Sequence, residues 1–355
     1  MPGSSDKAHF AAYRKAAAFL KGVLDSQSFP ATPVIGLILG SGLSGLSDVF
    51  TNTVTVNYAS IPGFPSSTTV QGHKGEIVFG FLGNVPAMCF RGRFHSYEGH
   101  DMNTTALPAR IMRCLGVKLL IVTNAAGGIN KTYNVGDVVS VMDYLAIPML
   151  AGKNPLVGPN DDALGPRFPP TSNAFDEKLQ EILVKASTSL GMNDFIRENG
   201  TYCFVSGPMY ESKAECRFLR NLGGDCVGMS TVPEIVAAHH SGMKVICLSL
   251  VTNKVIVDGT EGPPASHEEV LEAVELRSKQ LQDLVKTFVQ ILDESKYLQE
   301  LPKLKEISLD VTDFEDEKKV CMFRCPHMKC SIPLHCLIMG AGVLALGAVL
   351  GNKRK

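Results

Sequence analysis

The sequence predicts an α/β fold, because short apolar runs typical of buried strands alternate with segments of helical periodicity. The clearest run is 117–130, VKLLIVTNAAGGIN, in which aliphatic residues precede a polar pair, two alanines and two glycines. It predicts a central strand covered on both faces that ends in a tight turn. Backbone N–H groups can approach a ligand beside such small residues, so we expect the active site at Ala125 and its neighbours. A plain glycine turn is the alternative interpretation.

Length and charge restrict the classes of protein. A chain of 355 residues, of which 45% are hydrophobic, can bury a sizeable core in one large α/β domain or in two smaller ones. The formal net charge of -1 gives no overall field that attracts nucleic acid, so nucleic acid is not expected as a partner. Basic residues interrupt the apolar runs near the N-terminus. We therefore expect no signal peptide and a cytoplasmic catalytic domain.

The cysteines fall into two groups. The first group stands in or beside apolar runs without a paired spacing, as reduced core cysteines of a cytosolic protein do. Its members are Cys89, Cys114, Cys203, Cys216, Cys226 and Cys247. The second group crowds the C-terminal region and consists of Cys321, Cys325, Cys330 and Cys336.

The first predicted elements are a helix over 8–24 and a short strand over 34–39. The prolines that follow the helix are expected to end it. The strand leads into 40–43, a glycine-rich turn whose N–H groups and Ser41 hydroxyl can face an anion. The turn lacks the lysine of a Walker loop and the spacing of a dinucleotide-binding motif, so by itself it is a weak signal.

The most polar motif follows two predicted strands, 76–81 and 85–90. The motif, RGRFHSYEGH at 91–100, places two guanidinium groups, two imidazoles, a phenol and a carboxylate at a strand end. Arginine matches phosphate with two parallel hydrogen bonds, histidine can add another, and a carboxylate can orient the imidazole. A solvated charged loop is the alternative. Phe94 and Tyr97 interrupt the charges and favour a partly buried loop that binds an anion.

The alternation of strands and helices continues to the end of the domain. The further predicted elements are a helix over 103–115, a strand over 136–142, a helix over 175–190, strands over 200–205, 225–229 and 244–250, and a helix over 267–292. Residues 151–172 are rich in Gly, Pro and Asn and predict a long functional loop.

Small or polar groups therefore lie at several strand ends. They are Ser41, Arg93, His95, Ala125, Tyr210, Glu211, Met229, Ser230, Thr252 and Asn253. Metal ligation favours imidazoles three or four residues apart on a helix, so the adjacent His239 and His240 are interpreted as structural. No metal quartet, Cys/His nucleophile pair or G-x-S-x-G elbow occurs among these residues, and we expect no metal.

Five motifs, in this order and spacing, resemble the trimeric purine nucleoside phosphorylases of animals. They are GSGLSGL at 40–46, GRFHSYEG at 92–99, TNAAGG at 123–128, VGMSTVPE at 227–234 and TNKVI at 252–256. The resemblance runs from about Tyr13 to Leu292. It implies a single α/β domain with a mixed, barrel-like central sheet flanked by helices, and a homotrimer. The implied reaction is reversible phosphorolysis of purine nucleosides, namely inosine, guanosine and their 2′-deoxy forms, in purine salvage. Orthophosphate is a co-substrate, and no cofactor is implied.

The resemblance also implies roles for individual residues. The phosphate-binding residues would be Ser41, His73, Arg93, His95, Ala125 and Ser230. The nucleoside-binding residues would be Tyr97, Phe168, Tyr210, Glu211, Met229, Asn253 and His267. The catalytic residues would be Asn253, Glu211, His95 and Glu98. In this scheme Glu98 orients His95, and Phe168 reaches into the neighbouring subunit's site. Tyr210 departs from the pattern, because many relatives have Phe there.

Two rival functions remain open. A 5′-methylthioadenosine phosphorylase resembles the chain in its phosphate motifs, but it has aspartate in place of Asn253 and an apolar residue in place of His267. An inactive nucleoside-binding or membrane scaffold protein would keep the same motifs without turnover.

The C-terminal part of the chain differs in composition. We expect a catalytic domain at 8–297, a charged linker with the cysteine cluster at 298–331, and a hydrophobic tail at 332–351. The tail is a candidate transmembrane helix that would anchor the enzyme to a membrane. Peripheral or hairpin association is the alternative. The cysteines beside it are candidates for lipidation, and zinc binding by Cys325, His327 and Cys330 is the less favoured interpretation.

Overall fold

The computed structural model describes residues 4–65, 70, 72–257 and 267–312. Nine strands form one mixed sheet. They are β1 Ile35–Ile38, β2 Thr51–Asn57, β3 Glu76–Leu82, β4 Val85–Phe90, β5 Leu119–Gly128, β6 Val138–Ala146, β7 Ile196–Phe204, β8 Cys226–Gly228 and β9 Lys244–Lys254. The helices of the described ranges are α1 Ser4–Ser26, α2 Met102–Thr105, α3 Leu107–Cys114, α4 Ile147–Leu150, α5 Glu177–Ser189, α6 Lys213–Asn221, α7 Val232–His240, α8 His267–Glu294 and α9 Tyr297–Glu300.

The strand order produces a barrel with an open extension. The order is β2-β3-β4-β1-β5-β8-β7-β6-β9, and β5 also pairs with β9. This additional pairing closes β5, β8, β7, β6 and β9 into a barrel, from which β1, β4, β3 and β2 extend. Parallel and antiparallel pairs both occur, since β5 is parallel to β1 and β9 but antiparallel to β8. The predicted α/β domain with a mixed, barrel-like sheet is confirmed.

Strand β5 is the centre of the sheet and is covered on both faces. Leu120 and Val122 pack in an apolar cluster to which α1, α3 and α7 contribute. Ile121, between them, packs in a second cluster with Phe288 of α8 and Leu179 of α5. Since side chains alternate along a strand, this division explains why the run is continuously aliphatic.

The tight turn predicted at the end of this strand is wrong, because β5 continues through Gly128. Gly127 pairs with Val227 of β8 and with Asn253 of β9. A Cβ atom on Gly127 would lie only 3.1 Å from Cγ1 of Val255. The glycine therefore allows strands to approach closely inside the barrel.

The compact domain extends beyond the predicted boundary at 297. Residues 298–312, predicted as the start of a linker, pack against it, and Ile307 is buried. The Arg14 side chain donates from Nε to the carbonyl oxygen of Ser308 over 3.1 Å, and Arg113 donates to that of Lys305. Within the described ranges, no helix combines the length and apolarity needed to cross a bilayer. The predicted tail at 332–351 and the second cysteine group lie outside the described residues.

Candidate active site

Most of the predicted site residues line one cleft at the barrel, beside the ends of β1, β4, β5, β8 and β9. These residues are Ser41, Arg93, His95, Tyr97, Ala125, Tyr210, Glu211, Met229, Ser230 and Asn253. His73 and Glu98 contact the lining residues from the protein side, through Ser41 and His95. Helix α8 begins at His267, whose side chain lies outside the described atoms. Phe168 is 87% exposed and does not belong to the residues that line the cleft in this chain.

Arg93 is the most firmly held cation of the cleft. It is 1% exposed, and its Nε and Nη2 atoms donate to the two carboxylate oxygens of Glu234 over 3.2 and 3.0 Å. Its Nη1 donates to the carbonyl oxygen of Thr123 over 2.9 Å and to Oγ of Ser230 over 3.2 Å. Burial raises the pKa of Glu234, and the charge of Arg93 opposes that shift. Arg93 is thereby immobilised with most of its N–H groups occupied.

Glu234 was not predicted as the partner of Arg93. It stands in the first turn of α7, where an acidic residue usually indicates favourable interaction with the helix dipole. The two residues are 141 positions apart, so no local spacing connects them. The same limitation concealed Asn124, which lines the cleft, and Thr231, which accepts a hydrogen bond from Asn124.

His95 is oriented by Glu98. The ring Nδ1 donates to Oε1 of Glu98 over 2.8 Å, and the backbone N–H of His95 donates to the same oxygen over 3.1 Å. Burial lowers the pKa of His95, although the bond to Glu98 acts in the opposite direction. The proton at Nδ1 leaves Nε2 as the free ring nitrogen, on a ring that lines the cleft.

His73 supports the other side of the same ring. The His73 and His95 rings are stacked, with centroids 5.3 Å apart. Nδ1 of His73 accepts from the backbone N–H of Arg93 over 3.2 Å, so Nε2 carries the hydrogen and donates to Oγ of Ser41 over 3.3 Å. Burial, followed by the positive charges of His95 and Arg93, lowers the pKa of His73 to about 3. His73 is therefore neutral at neutral pH and leaves the Ser41 hydroxyl hydrogen free to donate.

The opposite half of the cleft is less charged. The His95 and Tyr97 rings are stacked, with centroids 4.6 Å apart, so an aromatic face adjoins the cationic side of the cleft. Burial raises the pKa of Glu211. Asn253 lies opposite Gly127 across the β5–β9 pair, and its Oδ1 accepts from the Thr252 hydroxyl over 3.3 Å. Its amide N–H groups therefore remain available as donors.

The predicted long loop is held in place by the paired histidines of α7. Nε2 of His239 donates to the carbonyl oxygen of Pro170 over 2.7 Å, and Nε2 of His240 donates to that of Pro166 over 3.1 Å. Both imidazoles thus have structural hydrogen bonds around Phe168. Among the described residues there is no cluster of three or more metal-ligating side chains.

The cleft therefore joins two chemically different halves. Arg93, Ser41, Ser230 and the N–H groups of β5 form a donor-rich half suited to a tetrahedral oxyanion. Tyr97, Met229 and Tyr210 supply apolar and aromatic surface for a flat ring, and Glu211 and Asn253 supply an acceptor and a donor. Such a cleft can hold an anion beside a heterocycle.

Known proteins share both the sequence and the fold. The family model for the phosphorylase superfamily matches residues 34–290. The purine nucleoside phosphorylase of Bos taurus is 45% identical over 253 residues, which cover 71% of this chain and 87% of the relative. Purine nucleoside phosphorylase 1 of Bacillus subtilis (strain 168) is 44% identical over 275 residues, covering 78% of this chain and 96% of the relative.

Solved structures agree with these relatives. A crystal structure of Schistosoma mansoni purine nucleoside phosphorylase in complex with adenosine superposes with a TM-score of 0.73 at 40% identity, covering 78% of this chain and 96% of that one. The corresponding complex with inosine has a TM-score of 0.73 at 39% identity, covering 79% and 95%.

Proposed function

The chain belongs to the purine nucleoside phosphorylase family, and we propose that it cleaves inosine, guanosine and their 2′-deoxy forms by transferring the pentose to orthophosphate. As a member of that family it is a pentosyltransferase. The observation that carries the substrate proposal is the position of Asn253 and Glu211 in the same cleft as Arg93 and Ser230.

The anion half of the cleft supports orthophosphate as the co-substrate. Ser41, Ser230 and the backbone N–H of Ala125 supply neutral donors, and Arg93 supplies a positive charge. His95 adds a ring nitrogen that Glu98 orients. Hydrogen bonds to a charged group are stronger than those between neutral groups, so these donors favour a phosphate ion over water.

The chemistry needs no protein nucleophile. As the bond from the anomeric carbon to purine N9 breaks, its electron pair goes to the purine and the ribose acquires oxocarbenium character. A phosphate oxygen then forms the new bond to the anomeric carbon, which gives the free base and (deoxy)ribose 1-phosphate. The negative phosphate stabilises the developing cation. Asn253 donates to N7 and stabilises the departing purine anion.

The base-recognising residues favour 6-oxopurines. Glu211 accepts from the N1–H that inosine and guanosine carry, and adenosine has no hydrogen at N1. Asn253 donates to N7 and tolerates the 6-oxo group. A site that is built to hydrogen-bond a substrate group discriminates strongly against an analogue that lacks it, because a buried group is left unpaired.

The residues around the pentose favour a free 5′-hydroxyl. Tyr97 and Met229 line the ribose, and His267 pairs with the 5′-hydroxyl in this proposal. A methylthio group would leave the imidazole without a partner. A 5′-methylthioadenosine phosphorylase, the rival function, would instead prefer a 6-amino purine at one end of the nucleoside and a 5′-methylthio group at the other.

A substrate comparison tests the proposal. The enzyme should use inosine and guanosine far better than adenosine or 5′-methylthioadenosine at saturating phosphate. Adenosine is an informative substrate for this comparison, because the crystal structure of a relative from Schistosoma mansoni is a complex with adenosine. Equal or better use of 5′-methylthioadenosine would overturn the substrate assignment.

We also propose a homotrimer in which Phe168 completes the neighbouring subunit's site. Several large apolar side chains are exposed, and a group of such side chains is a candidate interaction surface. They include Leu150, Val157, Phe168, Met209 and Phe218. An interface would remove this apolar surface from water.

For localisation, we propose that the catalytic domain is cytoplasmic and that residues 332–351 attach it to a membrane. The proposal rests on sequence alone, since about twenty mostly apolar residues are enough to cross a bilayer. The full chain should remain in the membrane pellet after an alkaline carbonate wash. A shortened protein that ends after Thr312 keeps residues 298–312, which pack on the domain. It should be in the supernatant and active. Full-length protein in the supernatant would contradict the anchor.

A further inference from the structure

A chain of hydrogen bonds leads from the central strand to Ser230. Nδ2 of Asn124 donates to Oγ1 of Thr231 over 3.0 Å, and Oγ1 of Thr231 lies 3.0 Å from Oγ of Ser230. On its other side, Oγ of Ser230 receives Nη1 of Arg93 over 3.2 Å. Asn124 and Thr231 are each 1% exposed, so these two side chains are shielded from solvent.

Two of these three hydrogen bonds have a fixed direction. An amide nitrogen and a guanidinium nitrogen only donate. Thr231 accepts from Asn124 and Ser230 accepts from Arg93, whereas between Thr231 and Ser230 either hydroxyl can donate. If Thr231 donates, Ser230 accepts from both Thr231 and Arg93, which occupies both of its lone pairs. The hydroxyl hydrogen of Ser230 is then left for an acceptor in the cleft, which Ser230 lines, or for Tyr202.

The backbone at Thr231 supports this assignment. Thr231 is the N-cap of α7, a position where a threonine hydroxyl usually accepts from the first turn of the helix. Within the described chain its side chain makes no such capping bond. Its φ of 78° is unusual for a β-branched residue. Departures of this kind cluster at functional sites. At Thr231 the hydroxyl is directed to Ser230 and Asn124 instead of to the helix.

We propose that Thr231 and Asn124 are positioning residues that hold the Ser230 hydroxyl as a hydrogen-bond donor to the oxyanion of the co-substrate. The inference rests on the proposed function, because it takes phosphate as the anion beside Ser230. A serine hydroxyl that is free to rotate presents a lone pair to the anion in some of its orientations. Fixing its hydrogen removes that repulsion before the anion binds, which is preorganisation.

Thr231→Val is the direct test, since valine keeps the shape of threonine and removes its hydroxyl. We expect the KM for phosphate to rise about tenfold, the effect of losing one hydrogen bond to a charged group. The KM for inosine at saturating phosphate should change less than about twofold. Thr231→Ser restores the hydroxyl and should return the phosphate KM to the wild-type value. An unchanged phosphate KM in Thr231→Val, or a serine variant as impaired as the valine variant, would overturn the proposal.

A double-mutant cycle shows whether Thr231 acts through Ser230. On a Ser230→Ala background, Thr231→Val should add no further increase in the phosphate KM. An additive increase would mean that Thr231 acts by another route and would overturn the proposal. If the valine variant does not fold, Thr231→Ala provides the same comparison without the β-branched side chain at a positive φ.

Tyr202 provides the matched control. Tyr202 is fully buried and its side chain interacts with Ser230, so its phenol oxygen is a competing acceptor for the Ser230 hydrogen. The proposal requires Tyr202→Phe to leave the phosphate KM unchanged, and a rise equal to that of Thr231→Val would overturn it. Turnover of inosine that does not depend on phosphate would instead overturn the proposed function.

Discussion

Glu234 holds Arg93 through two hydrogen bonds, of 3.2 Å from Nε and 3.0 Å from Nη2, and each of the two residues is 1% exposed. Water therefore cannot replace either partner of this ion pair. Removal of one member of a buried ion pair leaves the other charge uncompensated, which costs more than the pair contributed. The position of Arg93 in the cleft thus depends on the carboxylate of Glu234, which does not itself line the cleft.

Glu234→Gln should therefore impair both stability and phosphate binding. We expect a loss of ~3 kcal/mol in the free energy of unfolding, since a buried guanidinium loses its counterion. The KM for phosphate should rise more than the KM for inosine, because Arg93 adjoins the anion half of the cleft. Urea unfolding and steady-state kinetics measure the two effects.

The pair between Arg91 and Glu76 is the control for Glu234. Its Nη1 to Oε1 distance is 2.8 Å, and its side chains are 12% and 21% exposed. Partial exposure allows water to replace the lost partner, so Glu76→Gln should cost less than ~1 kcal/mol and leave both KM values unchanged. Equal losses for Glu234→Gln and Glu76→Gln would show that burial of the Arg93 pair does not matter.

The pH dependence of stability should report His73. Burial and the nearby positive charges lower its pKa to about 3 in the folded protein, whereas the unfolded value is about 6.5. Below about pH 6.5 the unfolded chain binds a proton that the folded protein does not, so stability falls with decreasing pH by up to ~1.4 kcal/mol per unit. Above about pH 6.5 His73 is unprotonated in both the folded and the unfolded state, so this loss of stability does not occur.

His73→Gln should reduce this slope. Urea unfolding at pH 7, 6 and 5 compares the variant with the unaltered protein. His239 makes a single described bond to a loop carbonyl and serves as the control position, with His239→Gln. A slope that is the same with and without His73 would contradict the assignment of a depressed pKa to this residue.

Asn253→Asp should shift the substrate ratio toward adenosine. Aspartate can be protonated and so suits a 6-amino purine, whereas the Asn253 amide suits the 6-oxo bases. The ratio of kcat/KM for inosine to that for adenosine is the quantity to measure. If the ratio does not fall, Asn253 does not set the base preference.

Phe168→Ala tests the proposed trimer and its shared site. Light scattering of the unaltered protein should give three times the mass of one chain. The variant should raise the KM for inosine with little effect on the KM for phosphate, because the ring would reach the nucleoside half of a neighbouring cleft. Leu276 of α8, which is also exposed but is not among the apolar residues assigned to the interface, provides the control substitution Leu276→Ala. A monomeric enzyme with full activity would contradict both proposals.

Local sequence signals predicted the parts of the fold in which burial is uniform. The aliphatic run of β5 and the glycine-rich segment after β1 lead into Ala125 and Ser41, which line the cleft. Strand β2 was missed because most of its residues are exposed, so it carries little apolar signal. Helix α6 was missed although Ser212 and Glu215 form a capping box at its start.

The supporting layer of the site could not be predicted in the same way. Glu234 and Asn124 contact residues that are far away in the sequence. Thr231 acts through the direction of one hydroxyl hydrogen. Such contacts depend on the closed barrel, which brings β5 and the start of α7 together. A local pattern of residue types contains no information about that pairing.

Release of hypoxanthine from inosine, measured with and without orthophosphate, decides whether the protein is a phosphorylase. We expect turnover only when phosphate is present, with one ribose 1-phosphate, detected by phosphorus NMR, formed for each hypoxanthine. A well-folded protein that releases no hypoxanthine in the presence of phosphate, or that releases it equally in its absence with free ribose as the product, would contradict the account.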